Sequence, residues 1–377
     1  MSIISFFHDH KFICQDDKYY SPGQLTDKTW SRYTEFCDEL HVVCRFIDNS
    51  EKLFDVESFN RTNDEKVKFS CIPEWSKYKA IFSNDIDLRI IEVVSSSDVV
   101  VCRLPSFLGF KAFTIAKSLR KKVICEAVGC PWDSYFNHGS LTAKILAPLM
   151  FFKMKNALKR SDFSIYVTKY FLQGRYPTKG KYCSASNVVI QDHGIRYLHR
   201  RNVKKIMFIG SLNTKYKGLT DLILALSHIN DANIELNVLG GGDKRYYLEL
   251  IEKLGLTGRV VFSSPLPGGD SVLKWLSQGD IYVHPSHTEG LPRSLIEAMS
   301  VGLPCIGTTV GGIPELLQEN CLVPPKKPEQ LSKKLLEFIE SPSLRIELSK
   351  VNLSKSKEYE SDVLSQRRHS FLKMSVF

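Results

Sequence analysis

The residues best suited to chemistry lie between His284 and Leu317, in the run HPSHTEGLPRSLIEAMSVGLPCIGTTVGGIPELL. Two carboxylates stand there, Glu289 in a loop and Glu297 inside a helix. Pro292 suits a first helical turn. Leu295, Ile296 and Met299 supply apolar periodicity, and Gly302 with Pro304 ends it. Five residues separate Pro292 from Glu297, roughly 7.5 Å along a helix axis. Backbone amides of Gly290, Leu291 and Arg293 would point from the helix start toward an anion. A carboxylate accepts hydrogen bonds from paired hydroxyls. A phosphate at the helix start, one polyol beside Glu289 and another near Glu297 trace the outline of a sugar, a diphosphate and a ribose. Two acids would repel the diphosphate, so they should address the neutral hydroxyls.

These residues need elements to hold them. Asp280–Val283 reads as a strand leading into the loop, and Pro304–Gly307 as the strand after the helix. Gly311-Gly312 turns the chain, and Pro314 opens another helix. Upstream, Ile206–Ile209 is a strand running into Gly210–Gly218, with a helix from Leu219. Ile234–Leu239 is the next strand, ending in Gly240-Gly241-Gly242, where bare backbone can approach a nucleotide. The β–loop–α–β rhythm predicts parallel sheets with the ligand at the carboxyl ends of their strands.

The pattern resembles the donor-binding signature of the retaining glycosyltransferases of family 4, which adopt the two-domain GT-B fold. It is a glutamate, seven residues and a second glutamate, with Gly-Leu-Pro after the first: Glu289-Gly290-Leu291-Pro292-Arg293-Ser294-Leu295-Ile296-Glu297. Ala298-Met299, Gly302, Pro304, Gly311-Gly312 and Glu315 stand in register. The resemblance implies an α/β chain with two Rossmann-like domains facing a central cleft. It makes Glu289 the contact to the transferred sugar and Glu297 the contact to the ribose. Lys217-Gly218 matches the lysine that neutralises the diphosphate, and Lys215 stands near enough to help. Ser211 occupies a place where arginine is frequent, so Lys217 should matter more. The reaction implied is transfer of a glycosyl unit with retained configuration, without metal or other cofactor. Family frequency favours a uridine diphosphate sugar, and the expected acceptor is a saccharide or lipid-linked saccharide of a bacterial surface polysaccharide, capsule or lipopolysaccharide. Two other readings share the motif: a nucleotide-sugar epimerase on the same fold, and a non-catalytic nucleotide-sugar-binding module.

The N-terminal half departs more from the family. A glycine-rich loop is expected after the first strand, Ile3–Phe7, but His8–Phe12 reads as a loop without glycine and only Gly23 follows, after the loop Tyr19–Pro22. A helix is predicted from Asp27 to Leu40, and strands at His41–Phe46, Asp98–Cys102, Lys122–Glu126, Ser164–Thr168 and Asn187–Ile190. Arg103 follows the Asp98–Cys102 strand, on the acceptor side. The loop Val128–Gly139 holds Asp133 and His138, the candidates for contact with a sugar hydroxyl or the acceptor nucleophile. His193 reads as a linker residue. The predicted division is an acceptor domain at 1–194, a donor domain at 195–355, and a C-terminal helix at 356–377 crossing back to the first domain.

With 377 residues the chain has room for two domains, and its net charge is +10. Lys144–Lys181 concentrates that charge: nine Lys or Arg stand against Asp162 alone, a net of +8. Leu149, Met150, Phe151, Phe152, Tyr170, Phe171 and Tyr176 are interspersed, a mixture suited to an anionic membrane surface. No nucleic-acid module is recognisable. Met1–Phe7 lacks the basic start of a signal peptide, and no apolar run is long enough to span a bilayer. Ten scattered cysteines without a Cys-x-x-Cys pair predict free thiols. The expected location is the cytoplasm, with peripheral attachment to the inner face of the cell membrane.

Overall fold

A computed structural model of the chain describes residues 1–23, 25–50, 53–73, 84–137, 140–192 and 194–377. The apolar, non-alternating runs around Val99 and Ile206 become inner strands of two separate sheets, covered on both faces by helices. The first sheet holds β1 (Ile3–Gln15), β2 (Lys18–Ser21), β3 (Glu39–Asp48), β4 (Asn60–Arg61), β5 (Val67–Pro73), β6 (Val99–Leu104), β7 (Lys122–Ala127), β8 (Phe163–Tyr166) and β9 (Lys181–Ser184). Its parallel part runs β5-β3-β1-β6-β7-β8-β9. Helices α1 (Asp27–Thr34), α2 (Asn84–Ser96), α3 (Phe107–Ser118), α4 (Pro131–Phe136), α5 (Leu141–Arg160) and α6 (Phe171–Arg175) connect these strands.

The second sheet is wholly parallel, in the order β12-β11-β10-β13-β14-β15. Its strands are β10 (Lys205–Ile209), β11 (Glu235–Leu239), β12 (Val260–Ser263), β13 (Ile281–His284), β14 (Cys305–Thr308) and β15 (Leu322–Val323). Between and after them come α7 (Leu219–Ser227), α8 (Arg245–Lys253), α9 (Asp270–Leu276), α10 (Arg293–Ser300), α11 (Pro328–Glu340), α12 (Pro342–Ser356) and α13 (Ser361–Val376). In both sheets the order reverses direction once, between β1 and β6 and between β10 and β13. Such a reversal leaves a crevice at the carboxyl ends of the two strands, where α/β proteins bind ligands.

The carboxyl ends of the two sheets meet. A Cβ on Gly290, in the loop after β13, would lie 2.7 Å from the carbonyl oxygen of Val128, in the loop after β7. A Cβ on Gly312 would lie 3.1 Å from Cγ2 of Thr168, after β8. Glu315 fastens this contact: its carboxylate accepts from the amides of Lys169 (2.6 Å), Tyr170 (3.0 Å) and Phe171 (2.6 Å) at the start of α6. Hydrogen bonds to a charged acceptor contribute about 1.5–3 kcal/mol each. Glu315→Ala should therefore lower the thermal midpoint by several degrees in a calorimetric scan, whereas an unchanged midpoint would mean that the contact carries no stability.

The chain's end returns to the first sheet. In α13, Arg367 donates to Ser184 O (3.0 Å), Arg368 to Ala185 O and Ser186 O (3.1 Å each), and Ser361 to Ile190 O (2.7 Å). Phe371 packs edge-on against Phe163, with ring centroids 6.0 Å apart.

Several local expectations are corrected. His8–Phe12 is not a loop: β1 continues through it with a register shift, because Phe12 packs between Phe69 (5.0 Å) and Trp30 (6.2 Å). Tyr19–Ser21 is likewise strand, paired to β1 across a tight turn in which Asp16 and Asp17 have φ of 52° and 56°. A β-hairpin thus occupies the place where the family carries a glycine-rich loop. The first helix stops at Thr34, and Leu40, which fits its apolar stripe, belongs to β3. Asn187–Ile190 is no strand; Lys181–Ser184 forms the edge, and the later segment bonds to α13 instead. The helix expected at Pro314 is a single 3-10 turn, Ile313–Glu315. α5 runs on through Pro148. None of the nine cysteines whose side chains are described forms a disulfide.

Candidate active site

Glu289 is the centre of the site. It follows β13, in a loop pinned from both sides. Thr308 donates to Ser286 O (2.6 Å), and the amide of His287 donates to Tyr216 O (2.7 Å). The His287 ring also meets Asp221 at 2.6 Å, so the loops after β10 and β13 are fastened together. Three side chains converge on one oxygen of Glu289: Lys217 Nζ at 2.5 Å, His284 Nε2 at 2.8 Å and Ser286 Oγ at 2.9 Å. Among the described residues the other oxygen, Oε2, accepts no hydrogen bond.

Burial alone would raise the pKa of Glu289. The hydrogen bond from His284 and the charge of Lys217 outweigh it and hold the carboxyl at about 2, against an ordinary 4.5. For His284 burial dominates and keeps the pKa below the usual imidazole value, despite Glu289. The consistent arrangement is a neutral imidazole donating through Nε2 to an ionised Glu289. Its other ring nitrogen lies 3.1 Å from the Tyr282 hydroxyl, which also lies 2.9 Å from the Ser294 hydroxyl. A depressed carboxylate pKa stabilises the fold above its unfolded value and loses that contribution as pH falls from about 4.5 through about 2.

Lys217 ends a single 3-10 turn, Lys215–Lys217, and is held by Gly218. Gly218 has φ of 78°, and a Cβ there would sit 2.0 Å from the carbonyl oxygen of Pro285. Only glycine lets the loops after β10 and β13 close to this distance. Lys215 is engaged elsewhere, stacked 5.1 Å over the ring of Tyr246. Ser211 is exposed at the start of the same loop. Gly240 and Gly241 follow β11 directly alongside: Leu212 donates to Gly241 O (2.9 Å), and a Cβ on Gly240 would meet Gly210 O at 2.0 Å.

Gly290, Leu291 and Pro292 lead from Glu289 into α10. Leu291 and Pro292 are buried, and no side chain caps the helix, so its first amides are left for another acceptor. Glu297 sits one turn in. Burial raises its pKa and Arg293 partly offsets this. Among the described residues its carboxylate makes no hydrogen bond. Glu289, Lys217 and the α10 start thus share the crevice between β10 and β13.

The first sheet presents a different set across the cleft. Arg103, at the end of β6, donates to Glu126 at 2.6 Å, and Tyr33 donates to the other Glu126 oxygen at 2.5 Å. Asp9 caps α3 through the amides of Phe107 (2.5 Å) and Leu108 (2.9 Å). His8 and His10 flank it, and burial, followed by the charge of Arg103, keeps both imidazoles neutral, His10 at about 4. Gly23 lies against the His10 ring, and its amide donates to Ser21. Asp133 is held in α4 by an ion pair with Arg175 at 2.6 Å. His138 and His193 lie outside the described residues.

The sequence reading missed His284 and Ser286, although both lie in its central run. Their convergence on Glu289 depends on how a five-residue loop folds back, and no periodicity reports that. His8 and His10 were also passed over; their alternation with aromatic Phe12 was the available signal for a strand reaching the cleft.

Residues 203–341 match the family described as "Glycosyl transferases group 1". Protein CapJ of Staphylococcus aureus is 33% identical over 349 residues, covering 91% of this chain and 88% of CapJ. The chain belongs to the group 1 glycosyltransferases. N-acetyl-alpha-D-glucosaminyl L-malate synthase of Bacillus anthracis is 35% identical over 117 residues, 30% of each chain. Among solved structures, sucrose-phosphate synthase from Thermosynechococcus elongatus superposes with a TM-score of 0.70 at 15% identity over 99% of both chains. The Anabaena protein Alr3699/HepE, solved with UDP, gives 0.68 at 15% identity over 99% of this chain and 100% of its own. The fold is therefore GT-B and the enzyme a glycosyltransferase. The crevice between β10 and β13 lies within the matched region.

Proposed function

We propose that the enzyme moves a sugar from a nucleotide-diphosphate donor, with UDP as the carrier, to a saccharide or lipid-linked saccharide acceptor in bacterial surface-polysaccharide synthesis. Residues 195–355 form the donor side, 1–194 the acceptor side, and 356–377 join them. The observation that carries this reading is the convergence of Lys217, His284 and Ser286 on one oxygen of Glu289 beside the uncapped start of α10. Lys217 and the α10 amides meet the diphosphate and stabilise it as it leaves. Glu289 keeps its second oxygen for sugar hydroxyls, and Glu297 accepts from the ribose. Retention follows from same-face attack, the departing phosphate taking the acceptor's proton, with no metal assigned a part. Arg103, His8 and His10 face the acceptor. Incubation of the enzyme with a panel of nucleotide sugars and a lipid-linked saccharide tests this. A glycosylated acceptor with the donor's anomeric configuration is expected; an isomerised donor formed without acceptor would overturn it.

The acceptor reading extends to a membrane. No described helix is long and apolar enough to cross a bilayer. On α5, however, Leu141, Ile145, Leu149 and Phe152 form one outward stripe, each 50–74% exposed. Lys144, Lys153, Lys155, Lys159 and Arg160 are exposed on the same helix. Elsewhere in the basic segment Tyr176 is buried, Arg175 pairs with Asp133 and Lys169 pairs with Glu358, while Tyr170, Lys179 and Lys181 are exposed off the helix. The docking face is centred on the apolar and basic surface of α5, resting on the anionic inner surface of the cell membrane. Ile145→Asp combined with Leu149→Asp removes two apolar side chains that docking would bury in the bilayer surface, each contributing about 1.5 kcal/mol or more. It should lower co-flotation with vesicles containing phosphatidylglycerol about a hundredfold. Unchanged flotation would exclude this face.

A further inference from the structure

A cavity of about 360 Å³ lies away from the donor crevice, between α1, α13 and the segment that leaves β9. Its lining carries Lys28, Arg32 and Arg368 against Glu35 alone, and Glu35 lies 3.1 Å from the His369 ring. A smaller hollow lined by Lys28, Arg32, Asn187 and Arg103 adjoins it and leads toward the end of β6. The opposite wall is apolar: Val188, Val189, Leu364 and Leu372. Three guanidiniums therefore border two neighbouring hollows that share Lys28, Arg32 and Val189 in their walls, and the acid they share, Glu126, is already bonded to Arg103 and Tyr33.

This cluster is short of negative charge. Arg368 is 97% buried, by its 3% exposure, and its Nε makes no hydrogen bond. Its Nη2 meets only uncharged oxygens, Ala185 O, Ser186 O and Asn187 Oδ1. Arg32 donates to that same Asn187 Oδ1 at 3.1 Å. Burial, then the charges of Arg368 and Arg103, bring the Arg32 pKa down to about 10 although Glu126 pulls it up. Like charges crowded into a half-buried space are costly unless an anion joins them. Guanidinium pairs suit the planar, multi-oxygen face of phosphate.

We propose that this cavity binds a phosphate or pyrophosphate group, held by Arg32, Arg368 and Lys28, with its organic portion against Val188, Val189 and Leu364. The bound group bridges α1, α13 and the segment running from β9 toward the second sheet. The site thus touches the chain that joins the two halves. The phosphate could be free in solution or borne by an isoprenoid carrier; the chemistry at the guanidiniums is the same. This rests on the proposed function only in using UDP to fill the donor crevice.

Calorimetric titration of the full chain with pyrophosphate, in saturating UDP, tests it. The same titration without UDP in a Lys217→Ala chain, whose donor crevice has lost its lysine, separates this cavity from the crevice. One pyrophosphate per chain is expected in both. Arg32→Gln should weaken it about tenfold and Lys28→Ala about threefold, while Lys253→Gln, on distant α8, leaves it unchanged. Arg32→Lys should recover part of the loss. If Arg32→Gln does not fold, Lys28→Glu decides the matter, with a loss of tenfold or more expected. Geranyl pyrophosphate binding tighter than pyrophosphate indicates a carrier-borne group, and equal binding a free one. No pyrophosphate binding in folded protein, or binding insensitive to Arg32 and Lys28 alike, overturns the proposal. Failure of UDP to bind would instead count against the donor crevice and leave the Lys217→Ala titration to judge this site.

Discussion

Glu289→Gln should lower kcat about a thousandfold while leaving the affinity for UDP within a few-fold. One oxygen of Glu289 is committed to Lys217, His284 and Ser286, and the other is left for the substrate. The amide keeps the shape but loses the charge. An amide NH2 in place of Oε1 would face three donors, and in place of Oε2 it would face the sugar hydroxyls as a donor rather than an acceptor. Either orientation disturbs the transferred sugar where charge develops, and losses of about 10²–10³ in kcat follow removal of such preorganised groups. The nucleotide's own contacts, the Lys217 charge and the first amides of α10, are retained in the variant and should persist. Initial rates with donor and acceptor, beside UDP titration, separate the two effects. A kcat within threefold of the parent enzyme would remove Glu289 from the chemistry. His284→Ala should show the same pattern more weakly, about tenfold in kcat, because it acts only by holding Glu289.

Lys217→Ala should reduce kcat/KM for the donor about a thousandfold and UDP affinity about tenfold. A charged hydrogen bond to a phosphate contributes about 1.5–3 kcal/mol to binding. Stabilising the departing diphosphate adds to this during reaction. The variant has a second consequence. Without the lysine's charge, burial has less to oppose it at Glu289, so that carboxyl's pKa rises from about 2 toward its ordinary 4.5. The fold then loses less stability as pH falls between those values, and acid unfolding curves of variant and parent should converge there. Lys217→Arg should restore part of the affinity, since the charge returns but not the compact reach. Equal UDP affinity in Lys217→Ala and parent would place the diphosphate elsewhere.

How far the sequence was readable follows from what sets each feature. Strands such as Val99–Leu104 and Ile281–His284 are buried on both faces, so an unbroken apolar run announces them. The turn at Gly218 and the helix start at Pro292 depend on one residue's backbone freedom and were equally plain. Leu40 could be read as helix or strand, because its burial suits both. Asn187–Ile190 is β-branched and apolar after its first residue, as a strand can be, but the Ile190 carbonyl is claimed by Ser361 of α13, some 170 residues on. His8–Phe12 looked like a loop for its polar residues; the aromatic packing that makes it a strand comes from Trp30 and Phe69. At the site, residue types and spacing marked Glu289, Glu297 and Lys217. The bond between Lys217 and Glu289 joins positions 72 residues apart and needed the fold.

The most direct measurement is a crystal structure of the enzyme with a UDP-sugar bound. The diphosphate should lie within hydrogen-bond distance of Lys217 Nζ and the first amides of α10, with sugar hydroxyls on Glu289 and the ribose on Glu297. A nucleotide seated anywhere other than the crevice between β10 and β13, or one leaving Lys217 and Glu289 untouched, would contradict this reading.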